Sequence, residues 1–526
     1  MDFRKQAKRV IQIQSRDNVA VALENLERHE KVLLDGQYVI LQEKVLQGHK
    51  FAIKEIRAGE EIVKYGYPIG VAKVKISSGQ WIHTHNMRTK LDENESYEYC
   101  PAFEAKTVGK QVFFQGYLRT DGSVGTRNEI WIVPTVGCVN SIANKIRDLA
   151  EHCAEGRVDG IRVFSHPYGC SQMGEDHKNL QKALAALVRH PNAGAVLVLG
   201  LGCENNNIGE FQKVLGDYDT RRVFFLECQA VQDEIQQGVE LVKKLISYAA
   251  GFKRSLVPIS KLVVGLKCGG SDGLSGLTAN PLVGRFSDHL VACGGTSILT
   301  EVPEMFGAET ILMNRCQDQQ TFQNTVELIQ NFKKYYTDHG QVVYENPSPG
   351  NKMGGITTLE DKSLGCIQKG GSSKVTGVLQ YTERVRQNGV NLLQGPGNDI
   401  VSTSALVMSG AQLILFTTGR GNPMGAAVPT IKIASNSGLS QFKENWIDFN
   451  AGSCLEQVQV RDLDTEFFQY VIQVAEGRKT KAEKLGFSSY TLETRGYLVG
   501  NTGCYSSDRS ISVLFIFILN LPANCF

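Results

Sequence analysis

Four cysteines of the chain share one local pattern. Each follows a short apolar run and a glycine-bearing turn, and each precedes a stretch that reads as a helix. The four stretches are "IWIVPTVGC", "IRVFSHPYGC", "GAVLVLGLGCE" and "KLVVGLKCGGSD", which contain Cys138, Cys170, Cys203 and Cys268. In a parallel α/β sheet the carboxyl ends of the strands share one edge, where ligands bind. The pattern therefore predicts that the four thiols converge on one site.

Thiolates at such an edge suit iron, either as a single ion or as a cluster. A buried structural thiol in a tight turn would produce the same pattern, so the spacing does not say which of the four bind metal. The repetition favours a functional role for at least two of them. The carboxylate of Glu204, directly after Cys203, is a candidate catalytic group at the same edge.

Three further predicted strand ends carry polar side chains. "TSILTEVPEMFG" places Glu301 there, and "LILFTTGRGNP" places Arg420 in a glycine-flanked loop. An arginine in such a loop can hold a substrate carboxylate by two parallel hydrogen bonds, although an interdomain salt bridge would look the same. In "SHPYGCSQMGEDH", His166 is the better acid–base candidate because it lies at the strand end, whereas His177 is expected on the next helix.

The segment "WIHTHN" places His83 and His85 two residues apart. On a strand this spacing puts both imidazoles on the same face, where they could bind a first-row metal. Exposed histidines beside a linker would show the same spacing. We expect the pair to contribute to metal binding and to bring the N-terminal module against the catalytic edge.

The loop "GLKCGGSDGLSG", residues 265–276, is rich in glycine and serine and carries Cys268 and Asp272. A simple turn needs one or two glycines, so this loop is expected to leave space beside the thiol for substrate and metal. A thiolate also requires a nearby positive charge, which Lys267 or iron could supply. Cys268 and Asp272 are therefore predicted to lie in the active-site crevice.

Composition excludes several classes of protein. The 526 residues carry a formal net charge of only +2, which gives no electrostatic footprint for nucleic acid or an anionic membrane. The 13 cysteines form no C-x-x-C pair, and their odd number argues against disulfides. The glycine-rich "TDGSVGTRNE" lacks the lysine and spacing of a phosphate-binding loop. Without a secretory signal or a long apolar run, a cytoplasmic location is expected.

The chain length predicts two or three domains. Residues 1–90 read as a compact β-rich module, and 91–115 as a polar linker. Alternating β-branched runs and amphipathic stretches over 116–350 predict an α/β catalytic domain with a mostly parallel sheet. A Pro- and Gly-rich break near "YENPSPGNKMGG" suggests a separate α/β lobe over 351–500. Residues 501–526 form an unusually apolar tail.

Several stretches resemble the altronate/galactarate dehydratase family, over about residues 10 to 450. They include "HTHN", "DGSVGTRNEIWIVPTVGCVN", "FSHPYGCSQMGEDH", "LKCGGSDGLSGLTANPLVGRFSD", "LTEVPEMFGAE", "GGITTLEDKSLGC" and "FTTGRGNP". The resemblance implies an N-terminal SAF (β-clip) domain, a large α/β region and an Fe(II)-dependent hydro-lyase acting on sugar acids. The apolar C-terminal end departs from the short polar end of the family, which puts packing there and activity in question.

With this resemblance we interpret the strand-end residues as one site. The candidate catalytic residues are His166, Glu204, Asp272 and Glu301. The candidate substrate-binding residues are Arg127, Lys267 and Arg420. The candidate metal ligands are His83, His85, Cys138, Cys170, Cys203 and Cys268. The expected cofactor is Fe(2+), with Mn(2+) or an iron–sulfur cluster as alternatives, and a homo-oligomer without nucleic-acid or membrane partners is expected.

The implied reaction removes the C2 proton and the 3-hydroxyl of a polyhydroxy acid. A divalent metal on the carboxylate would offset the charge that develops, and a base and an acid would each contribute about 10²–10⁴ in rate. The motif variants look more like the altronate enzymes, so the expected reaction is D-altronate to 2-dehydro-3-deoxy-D-gluconate, in hexuronate catabolism. Galactarate dehydration, a related sulfo-lyase and a non-catalytic carbohydrate-binding protein are the alternatives.

Overall fold

The computed structural model describes residues 9–91, 96–103, 111–455 and 463–492. The expected apolar tail, 501–526, and part of the expected linker lie outside these ranges. No helix in the described ranges has the length and apolar character needed to cross a membrane.

The N-terminal module is built from short antiparallel strands, as the sequence predicted. Its strands form a four-stranded sheet in the order β1-β2-β5-β8, a hairpin β3-β4 and a three-stranded sheet β6-β7-β9. Alternating burial fills the interior with small and branched side chains such as Ile62 and Ile82. The strands are β1 Val10–Ile11, β2 Val19–Ala22, β3 Lys31–Leu34, β4 Gln37–Ile40, β5 Lys50–Ala52, β6 Glu61–Lys64, β7 Tyr67–Ala72, β8 Trp81–Ile82 and β9 Met87–Arg88.

The second unit is a four-stranded parallel sheet in the order β13-β12-β14-β15 with helices on its faces. Its strand β14 is buried along its whole length, as expected for a parallel strand covered on both faces. A small antiparallel sheet, β11-β10-β16, flanks it. The elements are β10 Phe113–Leu118, β11 Val124–Gly125, β12 Glu129–Pro134, α1 Asn140–Ala154, β13 Ile161–Val163, α2 Gly174–Val188, β14 Ala193–Gly200, α3 Ile208–Leu215, β15 Val223–Glu227, α4 Glu234–Ala249 and β16 Arg254–Pro258.

The third unit is a seven-stranded parallel sheet in the order β19-β20-β18-β17-β21-β22-β23. Its strands are β17 Val263–Cys268, β18 Thr296–Leu299, β19 Val375–Leu379, β20 Gly389–Leu393, β21 Leu413–Thr418, β22 Thr430–Ala434 and β23 Phe449–Asn450. Its helices are α5 Ala279–Ala292, α6 Glu309–Met313, α7 Gln319–Asp338, α8 Pro349–Met353, α9 Leu359–Cys366, α10 Asp399–Met408, α11 Ser437–Phe442, α12 Leu463–Ala475 and α13 Lys481–Lys484.

This sheet corrects the expected boundary at residue 350. Its strands come from both sides of that position, so 116–350 and 351–500 are not separate lobes. The Pro- and Gly-rich break forms the connection around α8 inside the third unit. The expected linker also packs more closely than a free connection, because the Tyr97 hydroxyl donates to Glu309 at 2.7 Å and the Tyr99 hydroxyl donates to the Cys316 carbonyl at 2.6 Å.

The N-terminal module docks on α9 through buried charges. The Asp361 carboxylate accepts hydrogen bonds from Lys50 Nζ at 2.8 Å and from Lys64 Nζ at 3.0 Å, and all three side chains are buried. Burial by itself raises the pKa of Asp361, but the two ammonium groups hold that pKa well below its usual value. The module and the catalytic region are therefore joined by an ion triad that solvent does not screen.

Asp361→Asn should destabilise the protein strongly, because it leaves two buried lysines without their anion. Breaking a buried ion pair costs about 3–5 kcal/mol, and at roughly 2–4 °C per kcal/mol the melting temperature should fall by roughly 6–20 °C. Glu55→Gln is the control, since Glu55 pairs with Lys75 on the surface, where both side chains are more than half exposed, and such a pair is worth about 0–1 kcal/mol. Equal melting temperatures for the two variants would contradict this account of docking.

Candidate functional site

The four strand-end thiols belong to two sheets, not one. Cys138, Cys170 and Cys203 follow β12, β13 and β14 of the four-stranded sheet, whereas Cys268 ends β17 of the seven-stranded sheet. The expected single convergence of four thiols is thus corrected. The reason is the sheet boundary between β15 and β17, which the repeated strand–turn–helix pattern does not reveal.

The carboxyl ends of β17 and β18 are enclosed by a cluster of buried charged side chains. Strand β17 contributes Lys267 and Cys268, and the loop after β18 contributes Glu301 and Glu304. The helix α9 and the turn that follows it complete the set. Their side chains in the cluster are Lys362, Cys366 and Lys369.

Cys268 sits at the centre of this cluster. Lys369 Nζ donates to Cys268 Sγ at 2.9 Å, Glu304 Oε2 lies 2.9 Å from the same sulfur, and Cys366 Sγ lies 3.6 Å away. The hydrogen bond from Cys366 and the charges of Lys369 and Lys267 lower the pKa of Cys268 to about 6 against the effect of burial. Lys267 supplies part of the positive charge beside this thiol, as the sequence suggested.

Glu301 has a strained backbone and a perturbed carboxyl group. Its φ of 69° lies in the left-handed region, which a residue other than glycine seldom adopts. The carboxylate accepts hydrogen bonds from Lys267 Nζ and, at 3.1 Å, from the Cys268 amide. Burial and the nearby Cys268 and Glu304 raise its pKa well above the usual value. Strain of this kind concentrates at functional sites, and the catalytic role stays a prediction.

Lys267 is fully buried and contacts the partly exposed carboxylate of Asp399. Its Nζ lies 2.9 Å from Asp399 Oδ1, and Asn422 Nδ2 donates to Asp399 Oδ2 at 2.7 Å. The Asp399 side chain is 29% exposed and lines a cleft of about 690 Å³ together with Asn422 and residues 486–489. Sequence reasoning missed Asp399, although its position after β20 and at the start of α10 has the strand-end pattern used for the thiols.

Arg420 lies in the loop after β21, two residues before the cleft residue Asn422, and its side chain lies beside Gly350 of α8. Its amide donates to the Gly270 carbonyl at 2.9 Å, which fixes the loop, and its side chain is exposed. None of the ion pairs among the described residues includes Arg420. Its guanidinium is therefore available to an anion, which keeps the predicted substrate-binding role open.

The glycine-rich loop after β17 makes room for the N-terminal module, not for an open pocket. A side chain at Gly273 would overlap the Gly48 carbonyl, and one at Gly276 would overlap the Tyr65 hydroxyl. The Asp272 carboxylate accepts hydrogen bonds from Ser275, Ser435 and Asn436. These contacts make Asp272 a structural link between two loops, and its catalytic role stays a prediction.

His83 and His85 lie in the turn after β8, so they do not share a strand face as expected. His83 Nε2–H donates to the Lys352 carbonyl at 2.9 Å, and its ring stacks on Trp81. The neighbouring His49 donates to the Met353 carbonyl at 3.2 Å, and burial lowers its pKa to about 4. These rings dock the N-terminal module against α8. Metal binding by His83 and His85 stays a prediction.

Arg127 has no free donor for a substrate. Its Nε and Nη2 bind Glu483 at 2.8 and 3.0 Å, and its remaining N–H groups donate to three backbone carbonyls, those of Thr126, Val474 and Arg478. All five guanidinium protons are thus used within the protein. The expected substrate-binding role is corrected to that of an interdomain brace.

His166 and Glu204 make hydrogen bonds within the loops of the second unit that carry Cys138, Cys170 and Cys203. His166 Nε2–H donates to the Pro134 carbonyl at 2.8 Å, its Nδ1 accepts from the Tyr168 amide at 3.2 Å, and burial lowers its pKa. Glu204 accepts from the Thr135 hydroxyl at 2.7 Å and the Gly202 amide at 2.6 Å. Both groups are occupied by loop contacts, so the structure gives no support to their predicted catalytic roles.

Two sets of side chains have the chemistry to bind iron. Cys268, Glu304 and Cys366 have ligand atoms within 4.8 Å of one another, a proximity that no other three such residues reach in the described part of the chain. However, Lys369 already contacts the Cys268 sulfur, and Lys362 lies 2.8 Å from Glu304. A dication there would meet both ammonium groups, so this trio fits iron poorly. The thiols of Cys138, Cys170 and Cys203 are exposed, and metal binding by them stays a prediction.

The fold defines a class of protein with an N-terminal SAF domain followed by two α/β units, and comparison with known families agrees. Residues 8–90 match the altronate/galactarate dehydratase SAF domain, 116–250 match the second domain of D-galactarate dehydratase/altronate hydrolase, and 259–497 match the C-terminal domain of D-galactarate/altronate dehydratase. The chain belongs to the altronate/galactarate dehydratase family.

Individual relatives agree over nearly the full length. The chain is 51% identical to altronate dehydratase of Escherichia coli over 92% of its own length and 99% of the relative. It is 49% identical to altronate dehydratase of Bacillus subtilis over 93% and 99%. Galactarate dehydratase (L-threo-forming) of Escherichia coli is more distant, at 32% identity over 89% and 93%.

Cys268 should titrate below the ordinary thiol range. Because its pKa is lowered to about 6, the ultraviolet absorbance of one thiolate should persist at neutral pH and disappear as the pH falls through about 6. Cys268→Ser should remove this step. Cys228→Ser should keep it, since burial raises the pKa of Cys228 to about 11. A step near pH 6 that survives Cys268→Ser would contradict the assignment.

Proposed function

We propose that this protein dehydrates D-altronate to 2-dehydro-3-deoxy-D-gluconate. The observation that carries the proposal is the pair of altronate dehydratases at 51% and 49% identity over almost the whole chain, against 32% for the galactarate enzyme. A cytoplasmic location, a role in hexuronate catabolism and a homo-oligomeric state belong to the same proposal.

The cleft beside Asp399 is where we place the substrate. Removal of the C2 proton needs a carboxylate or a similar base close to the cleft, and expulsion of the 3-hydroxyl needs a proton donor. Asp399 is the acid side chain that borders the cleft, and its Oδ1 lies 2.9 Å from Lys267 Nζ. We assign Asp399 the role of base.

Behind Asp399, Lys267 connects the cleft with Glu301. Asp399 and Glu301 contact the same ammonium group, that of Lys267. When Asp399 takes up a proton and loses its negative charge, Lys267 keeps Glu301 as a partner. Burial and the nearby Cys268 and Glu304 raise the pKa of Glu301. In the proposed step, Asp399 would take the C2 proton and return it to the 3-hydroxyl, which would leave as water, while Lys267 and Glu301 hold Asp399 in place.

Arg420 is the group we assign to the substrate carboxylate. Its side chain is exposed, and it lies two residues before the cleft residue Asn422. A planar guanidinium matches a carboxylate in two parallel hydrogen bonds. Binding the single carboxylate of an aldonic acid here would orient C2 toward Asp399.

Iron, the cofactor expected from the sequence, would neutralise the charge that develops on the substrate and improve the hydroxyl as a leaving group. The side chains that would hold it are Cys138, Cys170 and Cys203. The segment that closes the cleft also contacts their unit, because Tyr490 donates to the Ser165 carbonyl.

Side-by-side assays test the substrate. Altronate should be turned over at least tenfold more efficiently, by kcat/KM, than galactarate under reducing conditions with iron present. The reason is that Arg420 offers one carboxylate grip, whereas galactarate carries a second carboxylate that would need its own. Faster turnover of galactarate would contradict the proposal.

Asp399→Asn should lower kcat by about 10²–10⁴ because it removes the base, while the protein stays folded because Glu301 still pairs with Lys267, which circular dichroism checks. Arg420→Ala should mainly raise KM. Arg386→Ala is the matched control, since Arg386 is a 79% exposed arginine that pairs only with Glu383. Full activity of Asp399→Asn would remove this residue from the mechanism.

A further inference from the structure

Two cysteines that are far apart in the chain lie side by side in the core. Cys268 ends β17, and Cys366 ends α9, 98 residues later. Both are free thiols, only 1% and 3% exposed, and their sulfur atoms are 3.6 Å apart. The sulfurs of a disulfide are about 2.05 Å apart, so a bond between these two requires an approach of about 1.5 Å.

The surroundings of this pair differ from those of an ordinary buried cysteine. Cys316 is also buried, but its thiol contacts the Thr325 hydroxyl at 3.3 Å and the Leu312 carbonyl at 3.6 Å, within its own stretch of chain. A free cysteine of that kind behaves as a small hydrophobic residue. The Cys268 sulfur lies instead among buried lysines and glutamates, a setting that packing alone does not require.

The charges around Cys268 favour the reactive form of its thiol. Lys369 Nζ donates to the sulfur at 2.9 Å. A positive charge beside a thiol stabilises the thiolate, which is the form that attacks oxidants. Cys366 then supplies a second sulfur at contact distance, in the position of a resolving thiol.

A small cavity borders the second thiol. It has a volume of about 10 Å³, and Cys366 lines it together with Tyr65 and Ser271. This is room for a molecule of about the size of one water. Because both thiols are buried and the adjoining space is so small, an oxidant of a few atoms reaches them more readily than a bulky disulfide does.

We propose that Cys268 and Cys366 form a reversible disulfide that switches the enzyme off. With hydrogen peroxide as the oxidant, the Cys268 sulfur attacks the O–O bond, becomes a sulfenic acid and releases one water. The Cys366 thiol attacks that sulfur, the S–S bond forms and a second water leaves. In total the two thiols lose two electrons and two protons, which the peroxide takes up. A dithiol reductant reverses the step by thiol–disulfide exchange.

The bond changes the surroundings of the residues behind the cleft. Lys267 precedes Cys268 in β17, and its Nζ lies 2.9 Å from Asp399 Oδ1, so a shift of the strand end toward α9 disturbs this contact. Lys369 loses the charge of its sulfur partner and keeps Glu304, at 3.9 Å. The effect on turnover rests on the proposed function, whereas formation of the bond does not.

Peptide mapping of the full-length protein tests the bond itself. The reduced protein is treated with hydrogen peroxide, free thiols are blocked in denaturant, and the chain is digested without reductant. A linked pair of peptides that contain Cys268 and Cys366 should account for at least half of both residues, with the mass of two hydrogens missing. Dithiothreitol should abolish it. Cys316, which is also buried, is the internal control and should be recovered as the blocked thiol.

Cys366→Ser keeps the size of the side chain and removes the second sulfur. In this variant the Cys268 peptide should carry a sulfenic acid that a dimedone reagent traps. The unmodified protein decides the matter even if the variant folds poorly. Absence of the linked pair at peroxide concentrations that oxidise the exposed Cys100, or equal oxidation of Cys316, would overturn the proposal.

Turnover assays separate the switch from the proposed function. Peroxide also oxidises ferrous iron, so the treated protein is assayed after ferrous iron and ascorbate are added back, which leave the disulfide intact. Turnover of altronate should be at least tenfold lower than before treatment and should return with dithiothreitol. Cys366→Ser should keep more than half of its own starting activity after the same treatment.

The outcomes are distinguishable. Full turnover by the disulfide-bonded protein, or an equal fractional loss in Cys366→Ser, would overturn the switch and leave the proposed function intact. A linked pair in a reduced-and-reoxidised protein that never turns over altronate would refute the proposed function and support the bond.

Discussion

The catalytic region is organised around the buried charges of one short helix. Two neighbouring residues of α9 bind different partners. Asp361 binds Lys50 and Lys64 of the N-terminal module, whereas Lys362 binds Glu304 in the cluster of buried charges around Cys268. Lys369, in the turn after α9, contacts Cys268 itself. An unpaired charge at any of these positions would cost several kcal/mol in this interior. The module, α9 and the strand ends of the large sheet are therefore fixed relative to one another.

The buried charges of α9 explain what the N-terminal module contributes to the enzyme. The module docks on α9 through two buried lysines and on α8 through stacked imidazoles. The glycine-rich loop after β17 is shaped by the same contact, since Gly273 and Gly276 lie against Gly48 and Tyr65. What looks in the sequence like space for a ligand is space for another domain.

Local patterns in the sequence predicted the elements well and the assembly less well. Strand-end chemistry at Glu301, Cys268 and Arg420 followed from apolar runs that end in glycine-bearing turns. The division of strands between two sheets did not, since it depends on which strands pair, and pairing leaves no mark on an individual run. Asp399 and Cys366 were missed because their significance comes from contacts with Lys267 and Cys268, residues about 100 or more positions away. Arg127 is the opposite case. The sequence motif singles it out as a substrate-binding candidate, but its guanidinium is already bound by Glu483.

The two α/β units divide the chemistry between them. The large sheet offers charge and proton transfer at Asp399, Lys267 and Glu301, and the small sheet offers exposed soft ligands, with the segment 486–490 in contact with both.

The account as a whole requires that the buried charges of α9 act as one network. A double-mutant cycle with Asp361→Asn and Glu304→Gln, measured by urea unfolding, tests this most directly. The account predicts a coupling free energy of at least about 1 kcal/mol between two sites that share the helix. Additivity within about 0.3–0.5 kcal/mol would show that the two ion clusters are independent and would contradict it.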